Sequence, residues 1–188
     1  MLKAETHLLT ALCDLGGVWD LDDVTGAITR FADAACEAAL RLVAADEIAA
    51  GRMIQPADDS HGPVPGFFCL AMGKQGAFEL NYSSDIDISI FYEPEILPLA
   101  GHVEPETFAD RLTRGFAQML QERTPDGYVF RVDLRLRPDA ADQRQHIGPQ
   151  QQQVMQVHHI RPQRFQELDQ RRRHTMHVGL RQREAIEA

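Results

Sequence analysis

The chain has 188 residues, of which 44% are hydrophobic and 7% aromatic, and it carries a formal net charge of −9. This length fits one domain of ordinary size, or one domain with appendages. The negative charge argues against a general binder of polyanions, although a local pocket can still be positive. The few aromatic residues give no indication of a stacking platform for single-stranded nucleic acid.

The three cysteines, Cys13, Cys36 and Cys69, lie far apart in the sequence and form no CxxC pair. This pattern is typical of small buried apolar residues in a reducing compartment, rather than of disulfides or zinc ligands. The N-terminal stretch lacks the apolar run of a signal peptide, and no stretch approaches the ~20 apolar residues that span a bilayer. We therefore expect a cytoplasmic protein without a membrane partner.

The first third of the chain predicts two helices followed by a loop. Leu2 to Leu15 forms a helix that ends at two glycines, and four leucines share one side of it: Leu8, Leu9, Leu12 and Leu15. A second, alanine-rich helix is predicted from Thr25 to Ala50, after a connector that contains Trp19. Breaker residues in 51–66 indicate a loop.

The middle of the chain predicts alternating strands and helices. A short apolar run of buried-strand type covers Phe67 to Met72, and Gly73 to Leu80 is a glycine-containing turn that leads into a short helix. The remaining predicted elements are a strand from Ile86 to Tyr92, an amphipathic helix from Pro105 to Arg123 and a strand from Tyr128 to Leu136.

The last region differs sharply in composition. Residues 143–188 contain 11 Gln, 8 Arg and 5 His, and their formal charge is +4, whereas residues 1–142 carry −13. Apolar residues there are sparse and poorly periodic, so we expect this tail to be poorly ordered. The abrupt change leads us to expect a shifted reading frame or a truncated gene.

An Asp-x-Asp pair carries the first chemical signal. Side chains on a strand alternate between its two faces, so Asp85, Asp87 and Ser89 share one face. Two carboxylates ~6–7 Å apart on one face repel each other unless a cation lies between them. Oxygen ligands of this type suit Mg²⁺. An isolated pair of this kind is more often only the solvated face of a strand.

A second alternating strand favours the metal site over that simpler interpretation. One face of the strand carries Val132 and Leu134, and the other carries Asp133 among arginines. If this strand lies beside the first with matching polar faces, Asp133 joins Asp85 and Asp87 as a third acid. Three acids with two Mg²⁺ ions form the arrangement that proteins use for in-line phosphoryl displacement.

Three stretches of the sequence support a family resemblance. They run from Ala71 to Asp87 (AMGKQGAFELNYSSDID), from Asp126 to Pro138 (DGYVFRVDLRLRP) and from Leu15 to Ala35. Together they resemble the bacterial glutamine synthetase adenylyltransferases, bifunctional enzymes with two nucleotidyltransferase halves. The resemblance implies an α+β fold: a small mixed sheet of the polymerase-β-like nucleotidyltransferase type with flanking helices, preceded by a helical lead-in.

The resemblance also divides the chain. It implies a helical lead-in over residues 1–62, an incomplete nucleotidyltransferase core over 63–141 and a tail over 142–188 that does not match the family. Members of the family continue after the second acidic strand into helices that pack beneath the sheet. Without those helices, we expect an apolar face of the sheet to be exposed.

Carried onto this sequence residue by residue, the resemblance implies roles for eight residues. Asp85, Asp87 and Asp133 are the catalytic acids and would hold Mg²⁺, with Mn²⁺ as the alternative ion. Gly73 and Ser84 would form the turn that admits phosphate. Lys74, Arg135 and Arg137 would neutralise the charge of the phosphate. Lys74 is equally typical of a solvated turn, however, and Arg137 of a surface ion pair.

The sequence around the Asp-x-Asp motif resembles the N-terminal half of these enzymes more closely than the C-terminal half. This implies removal of AMP from a tyrosine of glutamine synthetase by phosphorolysis, which yields ADP, as part of nitrogen regulation. The alternatives are adenylylation with ATP, or an inactive remnant. The implied partners are glutamine synthetase, phosphate and ADP or ATP, and the regulatory PII protein, without a specific nucleic acid.

Overall fold

The structure, a computed structural model, describes residues 2–58 and 61–138, with side chains as far as Leu134. The elements in chain order are α1 (Leu2–Leu15), α2 (Leu21–Ala49), β1 (Phe67–Met72), α3 (Gly73–Gly76), β2 (Ile86–Tyr92), α4 (Pro105–Gln121) and β3 (Val132–Pro138). The tail that the composition predicts over 142–188 lies outside the described residues.

The three strands form one small mixed sheet in the order β1-β2-β3. The central strand β2 runs antiparallel to β1 and parallel to β3. A parallel pair requires a crossover connection, and α4 lies between the two strands in the chain and supplies it. The predicted α+β fold, a small mixed sheet with flanking helices after a helical segment, is confirmed.

One hydrophobic core joins the sheet to α2 and α4. Ile86 and Ile90 of β2 are fully buried, as are Phe108 and Phe116 of α4 and Ile28 of α2, and all five belong to one cluster. The apolar face of β2 is therefore covered among the described residues. The expectation of an exposed apolar sheet face is wrong for this strand, because its isoleucines are buried in one cluster with residues of α2 and α4.

Two predicted boundaries are wrong for reasons of hydrogen bonding. Helix α2 begins at Leu21 and not at Thr25, because the side chain of Asp20 caps it by accepting the backbone N–H of Asp23 at 2.9 Å. Strand β3 begins at Val132 and not at Tyr128. The N–H groups of Val129 and Phe130 instead donate to the carbonyl of Leu120 at the end of α4.

Helix α1 exposes the side that carries its leucines. Leu8, Leu9, Leu12 and Leu15 are 59–88% exposed, whereas Thr10 on the opposite side is 1% exposed. The predicted helix and its shared leucine side are both correct. Within the described part of the chain, however, the leucine side packs against nothing.

Two further predictions concern the burial of the cysteines and the absence of a membrane-spanning helix. All three cysteines are free thiols; Cys36 is buried, as expected, whereas Cys13 and Cys69 are only partly buried, and Cys69 packs against the core. Among the described helices, none combines the length and the apolar character needed to cross a membrane.

Candidate active site

Two of the predicted acids lie side by side on neighbouring strands. Asp87 of β2 pairs in register with Asp133 of β3, and neighbouring strands are ~4.8 Å apart. Both side chains are exposed, while the residues on either side of them in each strand pack towards the core. The alternation that the sequence predicts therefore brings two carboxylates together on the open face of the sheet.

The third acid, Asp85, lies one residue before β2 and is held by an arginine. The Nε of Arg131 donates to Asp85 Oδ1, and its Nη2 donates to the carbonyl of Ser83 at 3.2 Å. The carbonyl of Arg131 in turn accepts the N–H of Ile86 at 3.0 Å. The contact with Asp85 is the main cause of a raised pKa for Arg131. The arginine thus joins the start of β2 to the start of β3.

Gly73 brings the backbone of the β1–α3 turn against the carboxylate of Asp87. Its φ is +53°, and a Cβ at this position would lie 2.8 Å from Asp87 Oδ2. The preceding residue, Met72, pairs with Asp87 in the sheet. Only glycine combines this positive φ with this close approach at no steric cost. The absence of a side chain at Gly73 therefore lets the turn lie directly against the carboxylate of Asp87.

Helix α2 anchors the segment that follows Gly73. Gln75 is buried, and its Nε2 donates to Asp33 Oδ1 at 2.9 Å. Farther along, the N–H of Leu80 donates to the hydroxyl of Thr29 at 3.3 Å. These contacts were not predictable from the sequence, because the paired residues are 42 and 51 positions apart and no local pattern pairs them.

The other predicted site residues are distributed around this centre. The hydroxyl of Ser84 donates to Asn81 Oδ1 at 2.8 Å and accepts the N–H of Asn81, so it closes the turn that leads to Asp85. Lys74 is exposed on α3, next to Gly73. Arg135 and Arg137 pair through their backbones with Ser89 and Phe91, and their side chains lie outside the described part.

Comparison with known proteins identifies the family to which this sequence is similar. Residues 1–144 match the family described as glutamate-ammonia ligase adenylyltransferase. The chain belongs to this family. In a relative from Caulobacter vibrioides, 63% of 138 residues are identical, and in one from Bradyrhizobium diazoefficiens 52% of 138 are identical. Each is named a bifunctional glutamine synthetase adenylyltransferase/adenylyl-removing enzyme.

The match with these adenylyltransferases covers only part of their length. The aligned residues make up 73% of this chain and 14% of each of the two relatives. A third relative, from a Bradyrhizobium species, is 55% identical over 142 residues, and the match again covers 14% of the length of the relative. The end of the family match at residue 144 lies close to the change in composition near Asp142.

Helix α1 of this adenylyltransferase family member braces both segments that lead to the acids. Lys3 Nζ donates to the carbonyl of Tyr128 at 3.1 Å and lies 4.4 Å from the centroid of its ring. Burial, and then the charge of Arg131, lower the pKa of Lys3. Towards the other end of α1, Asp14 accepts the hydroxyl of Tyr82 at 3.4 Å. The two contacts fix the approaches to Asp133 and to Asp85.

The donor set fits a hard divalent cation. Among the described residues, no group of three or more His, Cys, Asp or Glu side chains is arranged so that it could hold a metal ion. Asp85 is engaged by Arg131, which leaves Asp87 and Asp133 facing each other. Mg²⁺ needs only one or two protein carboxylates and fills its remaining positions with water and substrate phosphate.

Proposed function

We propose that this chain carries a metal-dependent nucleotidyltransferase site that removes AMP from adenylylated glutamine synthetase by phosphorolysis and releases ADP. The observation that supports this most directly is the in-register pair Asp87–Asp133 beside the turn at Gly73. The names of the relatives join adenylyltransferase and adenylyl-removing activities on glutamine synthetase. The protein would act in the cytoplasm, in nitrogen regulation, with a PII protein as its regulatory partner.

In this proposal, each side chain acts on charge or on position. Asp85, Asp87 and Asp133 would hold Mg²⁺ or Mn²⁺, and the bound ions would offset negative charge on phosphate and on the leaving oxygen. Gly73 and the turn closed by Ser84 admit the phosphate close to the backbone. Lys74, Arg135 and Arg137 would neutralise charge on the phosphate.

The reaction requires no dedicated general base. Inorganic phosphate is already an anion at neutral pH, so it can attack the adenylyl phosphorus without losing a proton first. The bond that breaks joins that phosphorus to the tyrosine oxygen of glutamine synthetase, and the leaving phenolate has a reference pKa of ~10. The contribution of the chain is therefore orientation and electrostatic stabilisation.

Adenylylation with ATP is the second candidate, because the names of the relatives contain both activities. The same acids serve either direction, since both transfer an adenylyl group between two oxygens. The directions differ in the co-substrate: phosphate for removal, and ATP for addition. An inactive remnant is the third candidate, and the change in composition after residue 142 favours it.

The test measures product release from adenylylated glutamine synthetase. The full chain is incubated with Mg²⁺ and inorganic phosphate, and ADP is quantified. The Asp87→Asn variant should lose at least about 100-fold in rate, as expected when a two-metal site loses a ligand. Asp110→Asn is the matched control, because Asp110 is a partly exposed carboxylate on α4 that pairs with Arg114. ATP consumption with labelling of glutamine synthetase would instead show addition, and the absence of both activities would show a remnant.

A further inference from the structure

Arg131 contacts one acid of the candidate site, Asp85, through a hydrogen-bonded ion pair. Its guanidinium reaches across from the residue before β3 to Asp85, the residue before β2, and also to the carbonyl of Ser83. Both partners of the ion pair are about half exposed, at 57% for Arg131 and 52% for Asp85. Both groups are therefore accessible to a dissolved ion.

The oxygen that Arg131 occupies is one that a divalent cation would need. Asp85 Oδ1 accepts the Nε–H of the guanidinium. A carboxylate oxygen that accepts a charge-assisted hydrogen bond in this way is less available as a metal ligand. A bound dication would also repel the nearby positive charge of Arg131. Arg131 and a metal ion thus compete for Asp85.

We propose that Arg131 is a positioning residue that exchanges partners during the reaction: it holds Asp85 before the metal ion binds, and then passes to an anionic oxygen of the phosphate. This inference rests on the proposed nucleotidyltransferase function and specifies how its site is assembled. Before the exchange, Arg131 keeps the carboxylates of Asp85 and Asp87 from repelling each other. After the exchange, its N–H groups donate to the phosphate instead of to Asp85.

The energies of the two states favour such an exchange. Exposed ion pairs contribute little to stability, so Arg131 leaves Asp85 at small cost. The planar guanidinium matches two phosphate oxygens at once, which a lysine ammonium cannot do. Arg131 precedes Asp133 by two residues, so it stays within one side-chain length of the acids throughout.

The experiment measures Mn²⁺ binding to the full chain by the electron paramagnetic resonance signal of the free ion. Arg131→Met should bind Mn²⁺ about two- to five-fold more tightly than the wild type, the range that loss of an exposed competing ion pair allows. Arg114→Met is the matched control. It removes the same charge from another exposed pair with an aspartate, on α4, and should leave the affinity for Mn²⁺ unchanged.

A second measurement adds inorganic phosphate. Phosphate should tighten Mn²⁺ binding in the wild type, and Arg131→Met should lose most of that gain because the anion no longer has its guanidinium partner. Arg131→Lys should keep part of it, since charge remains but the two-point geometry does not. A thermal melt of each protein shows whether Arg131→Met remains folded. If it does not, the phosphate-dependent Mn²⁺ affinity of Arg131→Lys serves as the test instead.

The outcomes separate this inference from the proposed function. If the wild type binds Mn²⁺ and Arg131→Met binds it no more tightly than Arg114→Met does, the partner exchange is wrong and the proposed function stands. If neither the wild type nor Arg131→Met binds Mn²⁺, both are wrong. In the Asp85→Asn background, the tighter binding caused by Arg131→Met should vanish, and its persistence would also refute the competition.

Discussion

The backbone of Gly73 lies directly against the carboxylate of Asp87: a Cβ on Gly73 would lie 2.8 Å from Asp87 Oδ2. The contact explains why a glycine begins the short helix α3, where helix propensity alone disfavours it. It also connects the turn after β1 to the strand that carries Asp87. A side chain at this position would therefore displace a carboxylate as well as strain the backbone.

The first prediction separates these two costs. Gly73→Ala should lower the free energy of unfolding by about 2–4 kcal/mol, part of it from the positive φ of +53° and part from the clash with Asp87. Gly51→Ala is the control for the first part, because Gly51 has a φ of +68° and nothing within 4 Å of its Cβ position. Urea unfolding of both variants measures the difference. Equal losses would mean that the carboxylate moves aside freely.

The second prediction concerns repulsion between Asp87 and Asp133. Like charges directly opposite each other on neighbouring strands destabilise a sheet, so Asp133→Asn should raise the unfolding midpoint by about 1–3 °C in buffer with a chelator. Addition of Mg²⁺ should stabilise the wild type and do little for the variant. Thermal melts with and without Mg²⁺ measure both effects. A variant that melts below the wild type in chelator would contradict the facing geometry.

Local periodicity was enough to predict which residues of β2 and β3 share a face. Asp87 and Asp133 alternate with apolar residues, and the pleat places them on the open side wherever the strands lie. The first residue of β3 was not predictable in this way. Tyr128 to Phe130 have strand-forming side chains, but the carbonyl of Leu120 takes two of their N–H groups.

Contacts between distant residues explain the rest of what the sequence did not predict. The pairs Arg131–Asp85 and Gln75–Asp33 depend on how the strands and α2 pack together, and no spacing in the chain encodes them. Helix α1 shows the same limit in another form. Its periodicity indicates which leucines share a side, but periodicity does not specify what covers that side.

The third prediction concerns the buried carboxylate of Glu47, which is 4% exposed at the end of α2. Arg52 donates two hydrogen bonds to it, at 2.7 and 2.8 Å, and Arg111 approaches it at 3.5 Å. Glu47→Gln should cost about 1–3 kcal/mol, because a buried charge-assisted pair loses its charge. Glu37→Gln, in an exposed pair with Arg41, should cost less than about 0.5 kcal/mol.

The hydrogen bonds from Arg52 also lower the pKa of Glu47, so its contribution depends on pH. A carboxylate with a lowered pKa contributes stability that is complete above the unfolded value of ~4.3 and is lost as the pH falls through the folded value. The stability difference between the wild type and Glu47→Gln should therefore shrink in acid melts below that pH. A difference that stays constant from neutral pH into this range would contradict the ion pair.

The fourth prediction concerns His7 on the packed side of α1. Its ring lies edge-on to those of Phe31 and Tyr82, with centroids 6.2 and 5.8 Å away, and its Nε2 is buried without a hydrogen-bond partner among the described residues. Burial, and then the charge of Lys3, lower the pKa of His7. The folded chain therefore favours the neutral ring, and stability is complete only above the unfolded value of ~6.5.

Stability should consequently fall as the pH drops from 7.5 to 5.5, since the unfolded chain takes up a proton that the folded chain resists. His7→Phe keeps an aromatic ring and should flatten this dependence. His61→Phe, at an exposed position, should retain it. Thermal melts at the two pH values measure the slope for each protein. An unchanged slope in His7→Phe would assign the effect to another group.

The fifth prediction concerns the leucine side of α1, where Leu8 is 61% and Leu12 is 59% exposed. A double change of both residues to Gln should move the unfolding free energy by less than about 1 kcal/mol, because exposed side chains stabilise little. The same change should reduce retention on a hydrophobic column, since it removes part of a contiguous apolar surface.

Leu112→Ala is the contrast: this residue is fully buried in α4, and its truncation should cost about 2–5 kcal/mol. A large loss of stability in the double variant would show that these leucines are packed in solution, and that α1 then buries its leucine side as well as the side that carries Thr10.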